Sequence, residues 1–147
     1  MSALVLNGSG IAAEIQGDLA REAAALRARG IVPGLAVVLV GEDPGSQIYV
    51  RLKMEVARRL GIESRDHVLP AATSQEDLLR LIRSLNEDPS IHGILVQSPV
   101  PPPLHERTVL NAVDPRKYVD GLHPFNMGAL MAGPIPCPRA RRRVAWS

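Results

Sequence analysis

The segment LAVVLV, residues 35–40, is a continuous apolar run rich in β-branched residues, with a glycine on each side. A run of this kind is typical of a strand that is covered on both faces, as in a parallel sheet. A polar turn over 42–45 follows it, and apolar residues at helical spacing then predict a helix over 46–60. This order of strand, turn and helix sets the pattern for the rest of the chain.

The remaining elements alternate in the same way. Ser74-x-x-Asp77 resembles a capping box, with Asp where Glu or Gln is usual. The prolines between 99 and 103 must end the strand before them, because proline has no backbone donor. No hairpin signal interrupts the alternation, which predicts an α/β fold with three α/β/α layers and a mainly parallel sheet. The further predicted helices cover 11–29, 75–86, 104–112 and 125–131, and the further predicted strands cover 64–69 and 94–97.

The composition is that of a globular chain, since 46% of the 147 residues are hydrophobic and 22% are charged. A chain of this length buries roughly 70% of its unfolded surface, so it needs neither disulfides nor a metal to hold a core. Cys137 is the only cysteine, which excludes an internal disulfide and favours a reducing compartment. No apolar run approaches the ~20 residues of a membrane span, and the first residues lack a secretory signal. We therefore expect a cytoplasmic protein without a membrane partner.

The basic charge is concentrated near the C-terminus. The formal net charge is +2, but four of the 17 basic residues are arginines within 139–147. The other 13 basic residues are fewer than the 15 acidic residues, so the rest of the chain is slightly acidic. With 3% aromatic residues, the chain also lacks the stacking platforms of single-strand binders, so we expect no nucleic-acid partner. We divide it into an α/β domain over 1–136 and an irregular, disordered basic tail over 137–147. The alternative is a non-catalytic remnant, or a binding module that uses the tail on nucleic acid or acidic lipid.

Three polar residues on the helix after the strand 35–40 are candidates for chemistry. The spacing of Ser46-x-x-Tyr49-x-x-x-Lys53 puts all three side chains on one face of the helix. That face begins near the carboxyl end of a parallel strand, where open α/β sheets bind ligands. A partly desolvated lysine there can act as acid or base near neutral pH, and a tyrosine offers a flat apolar face and a hydroxyl. The alternative is an exposed lysine with the tyrosine packed on its stem.

Gln97 and Asp120 are two further candidates. Gln97 ends the buried strand ILVQ, so we expect its amide at the same sheet edge as Lys53. The alternative is a cap of the strand end, since buried amides must be hydrogen-bonded. Asp120 belongs to the turn VDGLHP, and Asp-Gly by itself is an ordinary turn signal. We expect no metal site, because no metal-ligand spacing links Cys137 or the histidines at 67, 92, 105 and 123.

Two patterns typical of nucleotide-dependent enzymes are weak here. Gly8-Ser9-Gly10-Ile11-Ala12-Ala13 formally matches the dinucleotide fingerprint. The acid that ends the next strand, Glu42, comes far beyond the usual ~20 positions, and a plain turn into a helix accounts for the glycines. Tyr49-x-x-x-Lys53 is also the catalytic pair of short-chain dehydrogenases, but the glycine-rich turn that those enzymes need before it is not in this sequence.

Taken together, three segments resemble the N-terminal half of the bifunctional methylenetetrahydrofolate dehydrogenase/methenyltetrahydrofolate cyclohydrolase family. They are PGLAVVLVGEDPGSQIYVRLK (33–53), LLRLIRSLNEDPSIHGILVQSPVP (78–101) and VDGLHPFNMGAL (119–130). The resemblance extends over residues 3–138. The order S-x-x-Y-x-x-x-K, GILVQ-x-P, VDG-x-H-P is highly specific for this family.

The resemblance implies roles for five residues. Lys53 corresponds to the lysine that handles protons in the cyclohydrolase step, and Gln97 to the residue that contacts it and helps to set its protonation. Tyr49 would stack against the folate ring system, Asp120 would accept from the N–H donors of the pterin edge, and Ser46 would support Lys53. In the family, the dehydrogenase step passes a hydride from 5,10-methylenetetrahydrofolate to NADP. The cyclohydrolase step then adds water to the methenyl carbon and opens the ring to 10-formyltetrahydrofolate.

The chain also departs from the family pattern. Ser98 stands where leucine is usual, and Tyr118 where an acidic residue often precedes VDG; we expect both to tune the pocket. After Cys137-Pro138 the family continues into a Rossmann domain that holds NADP, whereas an arginine-rich stretch follows here. We therefore expect this chain by itself to lack an NADP site and to be severely weakened in catalysis. A homodimer is expected for full-length members of the family.

Overall fold

The computed structural model describes residues 7–133 and confirms the α/β class. The predicted boundary at 136/137, Cys137 and the basic tail lie outside these residues. The described elements are α1 (Gly8–Ala28), β1 (Gly34–Val40), α2 (Pro44–Arg59), β2 (Glu63–Leu69), α3 (Gln75–Glu87), β3 (Gly93–Val96), α4 (Glu106–Ala112) and α5 (Pro124–Ala132).

The described strands form one parallel sheet in the order β2-β1-β3. β1 lies in the centre, with Val38 in register with His67 of β2 and with Val96 of β3. A single parallel bridge between Ile94 and Tyr118 adds a short segment beside β3. Because the strands run in one direction, their carboxyl ends and the residues that follow them meet at one edge of the sheet.

Helices cover both faces of this sheet, which confirms the three-layer arrangement. Val37 and Leu39 of β1 pack against α2, whereas the alternate residues Ala36, Val38 and Val40 pack in a second core with α3 and α4. The alternation follows from the two-residue period of a strand. Burial of each valine or leucine in these cores contributes about 1.5–3 kcal/mol, so β1 anchors both layers.

Side-chain caps determine where α2 and α3 begin. α2 begins at Pro44 rather than at residue 46, because the Asp43 carboxylate accepts from the Ser46 N–H at 2.7 Å and proline suits the first helical position. At α3 the predicted capping pair is confirmed. Ser74 Oγ accepts from the Asp77 N–H at 3.1 Å and donates to the Asp77 carboxylate at 2.6 Å.

The other element bounds differ from the predicted ones by a few residues. The helix predicted over 104–112 begins only at Glu106, because the Leu104 N–H still closes a turn on the Pro101 carbonyl at 3.1 Å. The strand predicted over 94–97 covers Gly93–Val96, so Gln97 is the residue directly after it. Of the helices within 7–133, none combines the length and the apolar character that crossing a membrane requires.

Candidate functional site

Lys53 and Gln97 meet at the carboxyl edge of the sheet. The Gln97 N–H donates to the Val38 carbonyl at 2.8 Å, which continues the β3 ladder by one residue and fixes where the Gln97 side chain starts. Lys53 lies on α2, and its Nζ is 3.5 Å from Gln97 Oε1, the outer limit of a hydrogen bond. Gln97 Nε2 donates to the Ser98 carbonyl at 2.8 Å. The amide therefore presents its oxygen to the lysine.

Asp120 is close enough to Lys53 for their charges to interact. Protein atoms packed around its carboxyl raise the pKa of Asp120 above the ordinary value, and the positive charge of Lys53 partly opposes this rise. The residue keeps an exposed surface, so solvent moderates both effects. The structure thus brings Lys53, Gln97 and Asp120 to the same end of the sheet. Lys53 is itself exposed, so the partial desolvation considered for it from the sequence is not seen.

Tyr49 lies one helical turn before Lys53, and 63% of it is exposed. Its ring therefore presents an exposed flat face beside the lysine and is not part of the core. An open groove of about 360 Å³ runs along the same helix and is lined by Leu52, Lys53, Val56, Ala57 and Leu60. A larger cavity, about 470 Å³, is lined by residues of α3 and α4, none of them a predicted site residue: Leu79, Arg83, Thr108, Asn111 and Ala112.

The structure does not bring Ser46 to Lys53. Seven residues of helix, about 10 Å along the axis, separate them, and Ser46 is buried at the start of α2. Hydrogen bonds from its backbone N–H and its hydroxyl to Asp43 lower the pKa of that carboxyl. Asp43 was not named from the sequence, although Asp-Pro before a helical pattern is a recognisable start signal. Ser46 serves the local cap here, and its support of Lys53 stays a prediction.

Tyr118 and Glu106 add to the electrostatics at this end of the sheet. Burial, followed by the charges of Asp120 and Glu106, raises the pKa of Tyr118 to about 12. The sequence marked Tyr118 only as a departure from a family pattern. Glu106 was missed, since no motif marks it and α4 reaches this region only through the packing of the second core.

The described residues do not fit a dinucleotide such as NADP. Gly8 and Gly10 lie within the first turn of α1, and the Asn7 side chain accepts from the Gly10 N–H at 3.1 Å, where a pyrophosphate would need that donor. At α2, the Asp43 carboxylate occupies the helix start and would repel a phosphate. Between residues 7 and 133, no group of three or more His, Cys, Asp or Glu is arranged to hold a metal ion.

Comparison with known families and proteins gives a consistent result. The family model described as tetrahydrofolate dehydrogenase/cyclohydrolase, catalytic domain, matches residues 6–120. The bifunctional protein FolD 2 of Geobacter metallireducens is 50% identical over 129 residues, and the bifunctional protein FolD of Moorella thermoacetica is 53% identical over 133 residues. The alignments cover 88% and 90% of this chain, but 45% and 48% of these relatives. The chain therefore spans about half the length of the curated relatives that it matches.

Solved structures show the same fold. The bifunctional FolD dehydrogenase/cyclohydrolase of Campylobacter jejuni superimposes with a TM-score of 0.86 at 40% identity, over 88% of this chain and 46% of that one. The Trypanosoma brucei dehydrogenase-cyclohydrolase, complexed with NADP cofactor and inhibitor, gives a TM-score of 0.83 at 39% identity, over 88% of this chain and 45% of that one.

Proposed function

The chain belongs to the tetrahydrofolate dehydrogenase/cyclohydrolase family, and on that premise we propose that its site binds one-carbon derivatives of tetrahydrofolate. We further propose that it carries the proton transfers of methenyltetrahydrofolate hydrolysis. The observation that carries the proposal is the convergence of three side chains from separate parts of the chain. Lys53 Nζ is 3.5 Å from Gln97 Oε1, and its charge acts on Asp120.

In the binding role, Asp120 and Tyr49 recognise different parts of a folate, the polar edge of the pterin and the flat face of an aromatic ring. The pterin edge presents neighbouring N–H donors, which an ionised carboxylate accepts better than a neutral amide does. The exposed face of Tyr49 provides stacking area for an aromatic ring. Tyr49 lies one helical turn before Lys53, and Asp120 lies near enough to feel the charge of Lys53. A ligand held by both residues therefore places its reactive carbon near the amine.

In the chemical role, the Lys53 ammonium first releases a proton to solvent. The free amine then accepts a proton from water as the water oxygen bonds to the methenyl carbon. The resulting ammonium returns a proton to N5 as the bond between N5 and that carbon breaks. The carbonyl of the 10-formyl group forms, and one proton leaves to solvent. Gln97 accepts a hydrogen bond from the ammonium, and its own orientation is held by the Ser98 carbonyl.

We propose no hydride-transfer step for the described residues, because they do not fit NADP. The relatives named as bifunctional proteins are about twice as long as this chain, and the solved structure of the Trypanosoma brucei enzyme is a complex with NADP and an inhibitor. Tyr49 and Lys53 are exposed, so we expect a folate bound here to be held loosely and to stay in contact with water. We expect hydrolysis at least about 100-fold slower than in a full-length relative, the scale of loss that misplacement produces.

The test follows hydrolysis of 5,10-methenyltetrahydrofolate by the loss of its absorbance. We expect a rate above the uncatalysed background for the parent, a return to background for Lys53→Ala, and a rate within about twofold of the parent for Arg51→Ala, which removes an exposed cation from the same helix. Equal rates for the parent and Lys53→Ala would contradict the catalytic role. Turnover close to that of a full-length relative would contradict the predicted weakness.

Binding is tested separately by thermal denaturation with a folate analogue. Ligand at about 100 times Kd stabilises the native state by about 2.7 kcal/mol and raises Tm. Stabilisation that persists in a chain ending at residue 138 supports the folate site. Binding that disappears with residues 139–147 and weakens steeply with salt would favour the alternative, a module that acts through its basic tail.

A further inference from the structure

The turn that carries Asp120 is anchored to the sheet on its N-terminal side. The Val119 N–H donates to the Ile94 carbonyl at 3.2 Å, and the Ile94 N–H donates to the Lys117 carbonyl at 2.7 Å. This bridge ties the chain to β3 directly before Asp120. Gly121 follows with a φ of +68°, in the left-handed region that glycine adopts without a steric penalty. Because a glycine restrains a turn little, the position of Asp120 also depends on what holds the other side.

His123 holds the C-terminal side of the same turn with both of its ring nitrogens. The Phe125 N–H donates to Nδ1 at 3.1 Å, at the start of α5. A neutral imidazole has one donor and one acceptor nitrogen, so Nε2 carries the proton and donates to the Asn111 carbonyl at 3.3 Å. Asn111 lies in the last turn of α4. The ring therefore joins the start of α5 to the end of α4.

These polar contacts matter because α5 is poorly packed. Among the nine residues of α5 that the structure describes, one is buried, Ala129, and the large apolar side chains of this helix are exposed. Most helices in proteins are stabilised by packing of an apolar face, which α5 largely lacks here. The Asn126 side chain adds a second hydrogen bond, since its Nδ2 donates to the Pro115 carbonyl at 3.1 Å. Hydrogen bonds from His123 and Asn126 therefore hold α5 against the chain around the end of α4.

We propose that His123 is a positioning residue of the folate site, which holds the turn around Asp120 against the end of α4. This inference rests on the proposed function, in which the Asp120 carboxylate accepts from the pterin edge. His123 lies three residues after Asp120 and acts through the backbone between them. A carboxylate fixed by β3 on one side and by His123 on the other loses less conformational freedom when a ligand binds. Loss of the bridge to α4 therefore weakens folate binding.

The first experiment measures the Kd of 5-formyltetrahydrofolate, used as the folate analogue, by calorimetric titration. In His123→Asn, asparagine is a preferred N-cap residue that still accepts from the Phe125 N–H, but it is too short to reach Asn111. We expect the Kd to rise by about 3- to 10-fold, the scale of one neutral hydrogen bond. Equal Kd values for the parent and His123→Asn overturn the inference.

His105→Asn is the matched control. It makes the same substitution at the N-cap of α4, where the ring forms no capping hydrogen bond within the described residues. We expect its Kd to stay within about twofold of that of the parent, because the bridge between α4 and α5 is intact. A rise in Kd as large as that of His123→Asn would show that the effect is not specific to the bridge, and it overturns the inference.

A double-mutant cycle with Asp120→Asn separates positioning from a general loss of structure. If His123 acts through the Asp120 carboxylate, adding His123→Asn to the Asp120→Asn variant should change the Kd by less than about twofold. A substitution that only loosens the chain raises the Kd by the same factor in both backgrounds. That result overturns the inference.

The bridge itself is tested in the ligand-free parent by ¹⁵N NMR of the imidazole. In mildly alkaline solution, where an ordinary imidazole is neutral, we expect the proton of His123 on Nε2 and an unprotonated Nδ1. A proton on Nδ1 would leave the Phe125 N–H without its acceptor. That tautomer overturns the inference even if His123→Asn fails to fold.

Failure of the proposed function gives a different result. If the parent does not bind the analogue, the proposed function falls, and the role of His123 falls with it. If the parent binds and Asp120→Asn weakens binding while His123→Asn does not, only the role of His123 falls.

Discussion

Replacing Asp120 with asparagine should weaken folate binding and raise stability at the same time. The substitution keeps the size of the side chain and removes its charge. A carboxylate accepts from neighbouring pterin N–H donors, whereas the asparagine amide turns one acceptor into a donor. Loss of charge-assisted hydrogen bonds worth about 1.5–3 kcal/mol raises the Kd for a folate analogue by about 10- to 150-fold.

The stability effect follows from the sign of the pKa shift. Because the folded pKa of Asp120 is raised, the folded state binds a proton more tightly than the unfolded state does. The free energy of unfolding therefore falls as pH rises from the ordinary carboxyl range through the raised pKa. At neutral pH the ionised carboxylate still destabilises the folded state. The neutral amide of the Asp120→Asn variant does not destabilise the folded state in this way, so the variant has a higher free energy of unfolding. The gain is small because the residue is exposed and solvent screens its charge.

Two assays and one control test this reasoning. Calorimetric titration with a folate analogue gives the change in Kd, and urea denaturation at several pH values gives the change in the free energy of unfolding. Asp66→Asn is the control, since Asp66 lies on β2 and forms an exposed ion pair with Arg58 of α2 at 3.6 Å. We expect this variant to leave the Kd unchanged. An Asp120→Asn variant that binds within twofold of the parent, or whose affinity keeps the parent's dependence on acidic pH, would refute the argument.

Three further substitutions test the scaffold of the site. Lys117→Met removes an ammonium that donates to two carbonyls at the end of α3, at 3.1 and 2.8 Å. We expect urea denaturation to show a free energy of unfolding lower by about 1–2 kcal/mol. An unchanged value would mean that water replaces the ammonium as the donor to these carbonyls. Gly34→Ala places a Cβ 2.1 Å from the Ser90 carbonyl oxygen. We expect a drop in Tm that corresponds to a loss of about 2–3 kcal/mol in the free energy of unfolding. An unchanged Tm would show that the backbone at Ser90 shifts to make room for the methyl group. Asp43 has a lowered pKa, so its support for α2 is present at neutral pH and is lost as pH falls through that value. Asp43→Asn should remove this part of the acid dependence of unfolding, and an identical pH profile would count against the cap.

Most of the local structure was predictable from the sequence because it depends on short-range rules. The apolar run at 35–40 and the glycines around it predict β1, and Ser74 with Asp77 predicts the cap of α3 that the structure confirms. Element ends were less accurate where a cap lies outside the periodic pattern. Asp43 and Pro44 start α2 before its apolar period begins, so counting apolar residues alone starts the helix too late.

The sequence by itself determined which residues carry the candidate chemistry and that Tyr49 and Lys53 share one helical face, because a helix repeats every 3.6 residues. Only the tertiary structure decided that Lys53 meets Gln97, 44 residues away, and that Asp120 feels the lysine charge. It also decided that Ser46 bonds to Asp43, and that burial, followed by the charges of Asp120 and Glu106, raises the pKa of Tyr118. These facts depend on how α2, β3 and the segment after α4 pack around one sheet. Distances between segments and the exposure of a charge follow from that packing, and no local spacing encodes them.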